Sequence, residues 1–131
     1  MIKFGMNRLD NVVVWRKSAK RNFTDANDFF KSKHFDWCLF VWGLALEKVV
    51  KAKIVEVGEE VPLIHNLVTL CKIAKIELSE KDKINLSEIN TYSVEARYEE
   101  TKSALYYKAT KGYTEEWSKI CNEFYKRFGG I

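Results

Sequence analysis

Apolar side chains recur every three or four positions through the first thirty residues. This spacing places them on one face of an α-helix, so a helix is predicted over residues 9–32. Asn7 and Asp10 are the two candidates for its N-cap, because both side chains accept hydrogen bonds from backbone N–H groups. The residues on the apolar face are Val12, Trp15, Ala19, Phe23, Ala26 and Phe30.

A second helix is predicted over residues 35–57. Its first half, FDWCLFVWGLAL, is apolar on nearly every side, which is typical of a helix surrounded by other helices. Trp37 and Trp42 are therefore predicted to belong to the core rather than to a surface that stacks on bases. Gly58 is well placed to end the helix in a left-handed backbone conformation.

The second half of the chain is less regular but also helical. Three further helices are expected over residues 66–74, 79–96 and 114–128. Ser79 and Thr114 are the predicted N-caps of the last two, and Gly129 with Gly130 should end the final helix. Residues 98–113 fit either a helical turn or a mobile loop.

The composition supports one helical domain. A chain of 131 residues has the common size of a single domain, and 47% hydrophobic residues supply its core. One proline and six glycines leave little material for turns, which favours long helices over many short strands. The prediction is an all-α fold, an up-and-down bundle of about five helices that forms a single domain over residues 1–131.

The charge balance permits contact with nucleotides or RNA without requiring it. The net charge is +4 and the isoelectric point is about 8.9, whereas a dedicated nucleic-acid binder usually carries a stronger and clustered excess. On the first helix Arg16 with Lys20 and Lys17 with Arg21 form a basic stripe, since each pair is four residues apart. This stripe is either a solvated face or a phosphate contact.

The cysteines indicate a cytoplasmic protein. There are three, an odd number, and Cys38, Cys71 and Cys121 lie far apart among apolar neighbours. This pattern fits neither a disulfide framework nor a zinc site, so buried reduced thiols are predicted, with no metal or other cofactor. The longest apolar run, residues 37–46, is far shorter than the roughly 20 residues that cross a membrane. The first ten residues also lack a signal-peptide core.

Charged residues interrupt the second, most hydrophobic helix. Glu47 and Lys51 are four apart in the favourable order, and Lys48 lies beside them. One interpretation is an exposed ion pair on the wet face of the helix, worth a few tenths of a kcal/mol. The other is a polar site that the helix presents to a ligand.

Three short motifs follow one another along the chain. They are Glu47, Lys48, Lys51 and Ala52, then Pro62, His65 and Leu67, then Ala96, Arg97 and Tyr98. In this order they resemble the HEPN domain family, the small helical domains named for higher eukaryotes and prokaryotes nucleotide binding. The family pattern has an E-K-x-x-K-A helix, a Pro-x-x-His-x-Leu turn into the next helix, and a later Ala-Arg-Tyr element. Each motif alone is weak, but their order and spacing make the match fairly specific.

The resemblance implies a bundle of four to five helices that is often a homodimer. Such domains are commonly partnered with a small nucleotidyltransferase protein, in many cases as a toxin–antitoxin pair. Some members are metal-independent RNases, and others are thought to bind nucleotides or proteins without cleavage.

The RNase members carry Arg-x(4–6)-His, and this chain does not. Its only histidines are His34 and His65, and no arginine lies five to seven residues before either. The family uses the histidine for proton transfer and the arginine to offset phosphate charge. RNA cleavage by the family mechanism is therefore not expected. The chain also has Arg-Tyr-Glu-Glu from Arg97 onward, where many relatives have Arg-Tyr-Pro.

The motifs together predict a candidate groove, and its residues are Glu47, Lys48, Lys51, His65, Arg97 and Tyr98. Arg97 could grip a phosphate and Tyr98 could stack on a base, or Arg97 could instead bridge to Glu47. His65 fits a structural role at the turn better than catalysis.

Three functions remain open. The first is a non-catalytic module that binds a nucleotide, RNA or protein, with a nucleotidyltransferase partner. The second is an RNase toxin with a non-standard site, in which His65 and Arg97 would have to meet in space. The third is a purely structural dimerisation domain.

Overall fold

A computed structural model describes residues 7–97 and 99–131, without the side chains of residue 97 and residues 99–103. The helices are α1 (Arg8–Lys31), α2 (Phe35–Glu56), α3 (Leu67–Ile73), α4 (Glu80–Arg97), α5 (Glu99–Lys108) and α6 (Lys111–Arg127). The described residues contain no strand, so the all-α prediction is confirmed. Residues 7–97 and 99–131 form six helices rather than about five, because α5 occupies most of the stretch whose structure the sequence left open.

Helix ends follow the local chemistry of the chain. The side chain of Asn7 caps α1 by accepting a hydrogen bond from the backbone N–H of Asp10 at 2.8 Å. Gly58 has a φ of +90° just after α2, and Gly129 has a φ of +100° just after α6. Gly58 adopts the left-handed conformation predicted for it, and Gly129 follows the end of α6, where a helix stop was predicted.

The predicted cap of the last helix is wrong. Thr110 caps α6, since its hydroxyl accepts a hydrogen bond from the backbone N–H of Tyr113 at 3.2 Å. Thr114 lies one turn inside the helix and is fully buried. Gly112 lies in the first turn of α6, where a glycine costs only about 1 kcal/mol relative to alanine.

Helix α2 is the centre of the bundle. It packs against α1, α3, α4, α5 and α6, as expected for a helix that is apolar on nearly every side. Trp42 is 2% exposed within this core, but Trp37 is 53% exposed. The prediction that both tryptophans are core residues is therefore wrong for Trp37, which lies near the start of α2 at the edge of the bundle.

The three cysteines are free and buried, as predicted. Burial raises the pKa of the Cys71 thiol to about 12, and it also raises the pKa of Cys121. Burial raises the pKa of Cys38 as well, although a contact with the Ser118 hydroxyl at 3.6 Å opposes the shift. These thiols are inert parts of the core at neutral pH.

Polar contacts fix the end of α6 to the start of α4. Ser79 and Asp82 form a reciprocal cap of α4, in which each side chain accepts from the other's backbone N–H. The Arg127 guanidinium donates to both carboxylate oxygens of Asp82, at 2.6 and 3.1 Å. This arginine holds the pKa of the Asp82 carboxyl down, at about 2.

A second polar network joins α4, α5 and α6. The buried Tyr92 hydroxyl lies 2.7 Å from the hydroxyl of Tyr113, which donates to the Glu88 carboxylate. Lys108 at the end of α5 donates to Glu95 at 2.9 Å and lies 3.4 Å from Glu88. The network orients α5 against α4.

No helix in the described part of the chain is long and apolar enough to cross a membrane. Nor do residues 7–97 and 99–131 bring together three or more side chains able to hold a metal ion.

Candidate functional site

The carboxylate of Glu47 joins two parts of the predicted groove. Its Oε2 atom accepts a hydrogen bond from Lys51 Nζ at 2.7 Å, one helical turn along α2. The same oxygen lies 2.8 Å from His65 Nδ1, where an Nδ1–H donates to it. Glu47 is 9% exposed and Lys51 is 8% exposed. The interpretation as a solvated ion pair is therefore wrong, because both charges are buried.

The ammonium group of Lys51 is enclosed from the other side by α1. It lies 5.5 Å from the centre of the Trp15 ring, within the range of a cation–π contact. Glu47, Lys51, His65 and Trp15 are called here the Glu47 cluster. Since Lys51 has a carboxylate and a ring for partners, it is a structural cation rather than one exposed to a ligand.

The connection between α2 and α3 places His65 at the surface. Asn66 caps α3 by accepting from the Thr69 backbone N–H at 3.0 Å, and the Leu67 N–H donates to Asn90 of α4 at 2.6 Å. These bonds fix the chain on the α3 side of His65. Its imidazole is 50% exposed although Nδ1 is held by a buried carboxylate. When Nδ1 of a histidine is bound to a carboxylate in this way, the second ring nitrogen, Nε2, can contact a ligand or exchange a proton.

Lys48 differs from its two charged neighbours. It is half-buried and makes no hydrogen bond or ion pair with any described residue. Burial lowers the pKa of Lys48, and the positive charge of Arg21 on α1 lowers it further. Lys51 acts in the same direction, while Glu47 and Asp25 oppose it. The net effect is a partly desolvated cation beside other cations.

The predicted basic stripe of α1 divides into two halves. Arg16 donates to the Glu56 carboxylate at 2.9 Å, and Lys20 lies 4.6 Å from the centre of the Phe23 ring. Lys17 and Arg21 are exposed and form no ion pair with the described residues. Arg16 and Lys20 therefore contact other residues of the bundle, whereas Arg21 acts electrostatically on Lys48.

Comparison with known proteins identifies the fold family. The sequence matches the HEPN domain over residues 12–131, nearly the whole chain. The chain belongs to the HEPN domain family. Among curated protein sequences, none matches it. The HEPN chain is similar in structure to the crystal structure of TT1696 from Thermus thermophilus, with a TM-score of 0.76 and 17% identity. The similarity covers 94% of this chain and 97% of that one, and it supports the fold.

Among the described residues, the first two of the three HEPN motifs meet in space. Glu47 contacts both Lys51 and His65, so the E-K-x-x-K-A helix adjoins the Pro-x-x-His turn. The side chain of Arg97 and all of Tyr98 lie outside the described residues. Their place in the candidate groove stays a prediction, as does the alternative bridge from Arg97 to Glu47.

Two residues of this HEPN site come from α1 and have no counterpart in the predicted groove. Trp15 covers Lys51, and Arg21 stands beside Lys48. The sequence signals Trp15 only as one apolar residue of the α1 face, and it signals Arg21 only through its spacing from Lys17. Neither of these sequence signals shows which part of α2 is in contact with α1.

Proposed function

We propose that this HEPN domain is a non-catalytic module that binds a phosphate-bearing ligand, a nucleotide or RNA. We further propose that it acts with a small nucleotidyltransferase in a toxin–antitoxin-like pair. The observation that carries the ligand proposal is Lys48, a half-buried ammonium group with no ion-pair partner among the described residues and with Arg21 beside it.

A phosphate group is the chemistry that this arrangement favours. Partial burial and the positive charge of Arg21 both disfavour the charged form of Lys48, and an anion beside the two cations relieves that repulsion. Arg21 supplies a planar donor and Lys48 a point charge, the two kinds of side chain that proteins use for phosphate. Arg97 and Tyr98 complete the proposed groove, where the arginine pairs with phosphate and the ring stacks on a base.

The absence of catalysis is proposed from the sequence around the histidines. Neither His34 nor His65 has an arginine at the spacing of the RNase motif. The Glu47 carboxylate that holds His65 is also bonded to Lys51, and this neutralises the charge that would activate the imidazole as a base.

A thermal-shift titration with AMP, ATP and a short single-stranded RNA tests the ligand proposal. A ligand present at a hundred times its dissociation constant stabilises a protein by about 2.7 kcal/mol, which is several degrees for a domain of this size. Lys48→Met should abolish the shift, and Lys119→Met, an exposed lysine on α6, should retain it. No shift with any ligand, or a shift that Lys48→Met leaves unchanged, contradicts the proposal.

The contact between His65 and Glu47 supports RNA cleavage as a second candidate function. A half-exposed imidazole held by a buried carboxylate is the arrangement of many general bases. Incubation of the purified protein with labelled RNA in excess EDTA distinguishes the two functions. Cleavage that His65→Ala removes and Lys48→Met retains would identify an RNase and refute the non-catalytic proposal.

The partner proposal is tested separately. A small nucleotidyltransferase encoded beside this gene should co-elute with the HEPN protein in size-exclusion chromatography after coexpression. Light scattering should give the mass of a homodimer for the HEPN protein alone. A monomer at high concentration would contradict the proposed homodimer and also the third function, a purely structural dimerisation domain.

A further inference from the structure

A small hollow opens between the first turn of α2 and the helices α4 and α5. Its volume is about 160 Å³, and it is lined by Asp36, Trp37, Phe40, Ala96 and Leu105. Among the described residues that line it, four are apolar and the fifth is a carboxylate. The described part of the hollow therefore combines apolar walls with a negative charge.

Trp37 forms an exposed aromatic wall of this hollow. Its side chain is 53% exposed, an unusual state for a tryptophan in the most hydrophobic helix of the protein. The ring packs edge-on against Phe40, with ring centroids 6.0 Å apart and an interplanar angle of 82°. This contact holds the indole in place before anything binds, which reduces the entropy that binding must overcome.

Asp36 supplies the charge. Its side chain is partly buried and makes no hydrogen bond or ion pair with the described residues. Its position in the first turn of α2 explains why the carboxylate is tolerated there, because the positive end of the helix dipole stabilises it. Nothing in the described residues neutralises it across the hollow.

We propose that this hollow binds an arginine side chain of a partner protein. The guanidinium pairs with the Asp36 carboxylate and stacks on the Trp37 indole, while the aliphatic stem contacts Phe40 and Leu105. The volume is sufficient for the guanidinium group, since a cavity of about 150 Å³ holds a benzene molecule, which has more heavy atoms. Arginine is also among the residues that most often dominate the binding energy of protein interfaces.

The proposal goes beyond the proposed ligand site. Trp37 and Glu47 are ten positions apart on α2, which corresponds to about 15 Å along the helix at 1.5 Å per residue. The two places also have opposite charge, because Lys48 presents a cation and Asp36 presents an anion. A phosphate-bearing ligand is repelled by Asp36, so the two sites accept different partners.

The test uses N-acetyl-arginine amide as the probe and the indole N–H resonance of Trp37 as the reporter in two-dimensional NMR. The resonance is assigned from the spectrum of Trp37→Phe. The probe should shift it in a saturable way at millimolar concentrations. Asp36→Asn should weaken binding about tenfold, whereas Glu116→Gln, which removes an exposed carboxylate of α6, should leave it unchanged. The neutral isostere N-acetyl-citrulline amide should bind about tenfold more weakly than the arginine probe.

Three results would overturn the proposal. The first is no saturable shift of the Trp37 indole. The second is equal affinity for arginine and citrulline, or for wild type and Asp36→Asn, which would make the hollow a purely apolar surface. The third is self-association that Asp36→Asn abolishes in sedimentation experiments, because the occupant would then be a second copy of this chain. Circular dichroism of each variant verifies that it is folded.

Discussion

Replacing the buried charges of the Glu47 cluster one at a time should destabilise the protein far more than replacing both. Glu47→Leu leaves the Lys51 ammonium without its carboxylate at a place where its side chain is 10% exposed. Removal of one partner from a buried ion pair costs about 3–5 kcal/mol. Lys51→Met should cost less, about 1–3 kcal/mol, because Glu47 still accepts the hydrogen bond from His65.

The double variant Glu47→Leu/Lys51→Met should regain most of that loss. Apolar side chains of similar volume often replace a buried ion pair without cost, so its free energy of unfolding should lie within about 1 kcal/mol of wild type. The sum of the two single effects is about 4–8 kcal/mol, and the expected coupling energy is therefore at least about 3 kcal/mol.

Urea unfolding at pH 7, followed by circular dichroism, measures all four proteins of this cycle. The dependence of the free energy on urea should be the same in each, so that differences in midpoint report stability alone. Two results would refute the reasoning. Single effects below about 0.5 kcal/mol would mean that the pair is solvated, and strictly additive effects would mean that the two charges do not interact.

Three further predictions concern helix ends and acid stability. Asp82→Asn should destabilise the protein by about 0.5–1 kcal/mol at pH 7 in urea unfolding, a modest value because the Arg127 side chain is 45% exposed. The folded pKa of Asp82 is depressed to about 2, against about 3.9 when unfolded. Its contribution is therefore present above pH 4 and lost as the pH falls towards 2, so the variant should show a smaller loss of stability over this range. Gly58→Ala should lower the free energy of unfolding by about 1 kcal/mol because of its positive φ, whereas Gly112→Ala, with nothing within 4 Å of the added carbon, should not lower it. Thr110→Ala should cost about 1 kcal/mol through loss of the α6 cap, and an unchanged thermal midpoint would contradict that assignment.

Hydrophobic periodicity predicted the first two helices almost to the residue. The observed ends of α1 and α2 lie within one residue of the predicted ranges 9–32 and 35–57. Both helices are long and strongly patterned, so many residues contribute to each prediction. The start of α6 was predicted too late in the chain, at Thr114 instead of Thr110, because a cap depends on one hydrogen bond that hydrophobic periodicity does not specify.

The candidate site was predictable only where its residues are linked by local spacing. Glu47 and Lys51 are four apart on one helix, so their contact follows from helical geometry. Whether that pair is exposed or buried depends on contacts that are distant in sequence, such as the one between Lys51 and Trp15 on α1. The exposure of Trp37 could not be predicted from local sequence either. The residues around it are apolar, but they do not show whether another helix covers the side of α2 on which Trp37 lies.

These contacts explain why charges interrupt the most hydrophobic helix of the protein. Glu47 and Lys51 satisfy each other inside the bundle, and Glu47 also fixes His65 at the surface. Lys48 has no comparable partner among the described residues, because the nearby Glu47 carboxylate already accepts hydrogen bonds from Lys51 and His65. Substitutions of the two lysines of this motif should therefore have different effects. Lys51→Met should lower stability, while Lys48→Met, which relieves repulsion from Arg21, should leave stability unchanged or raise it and remove ligand binding.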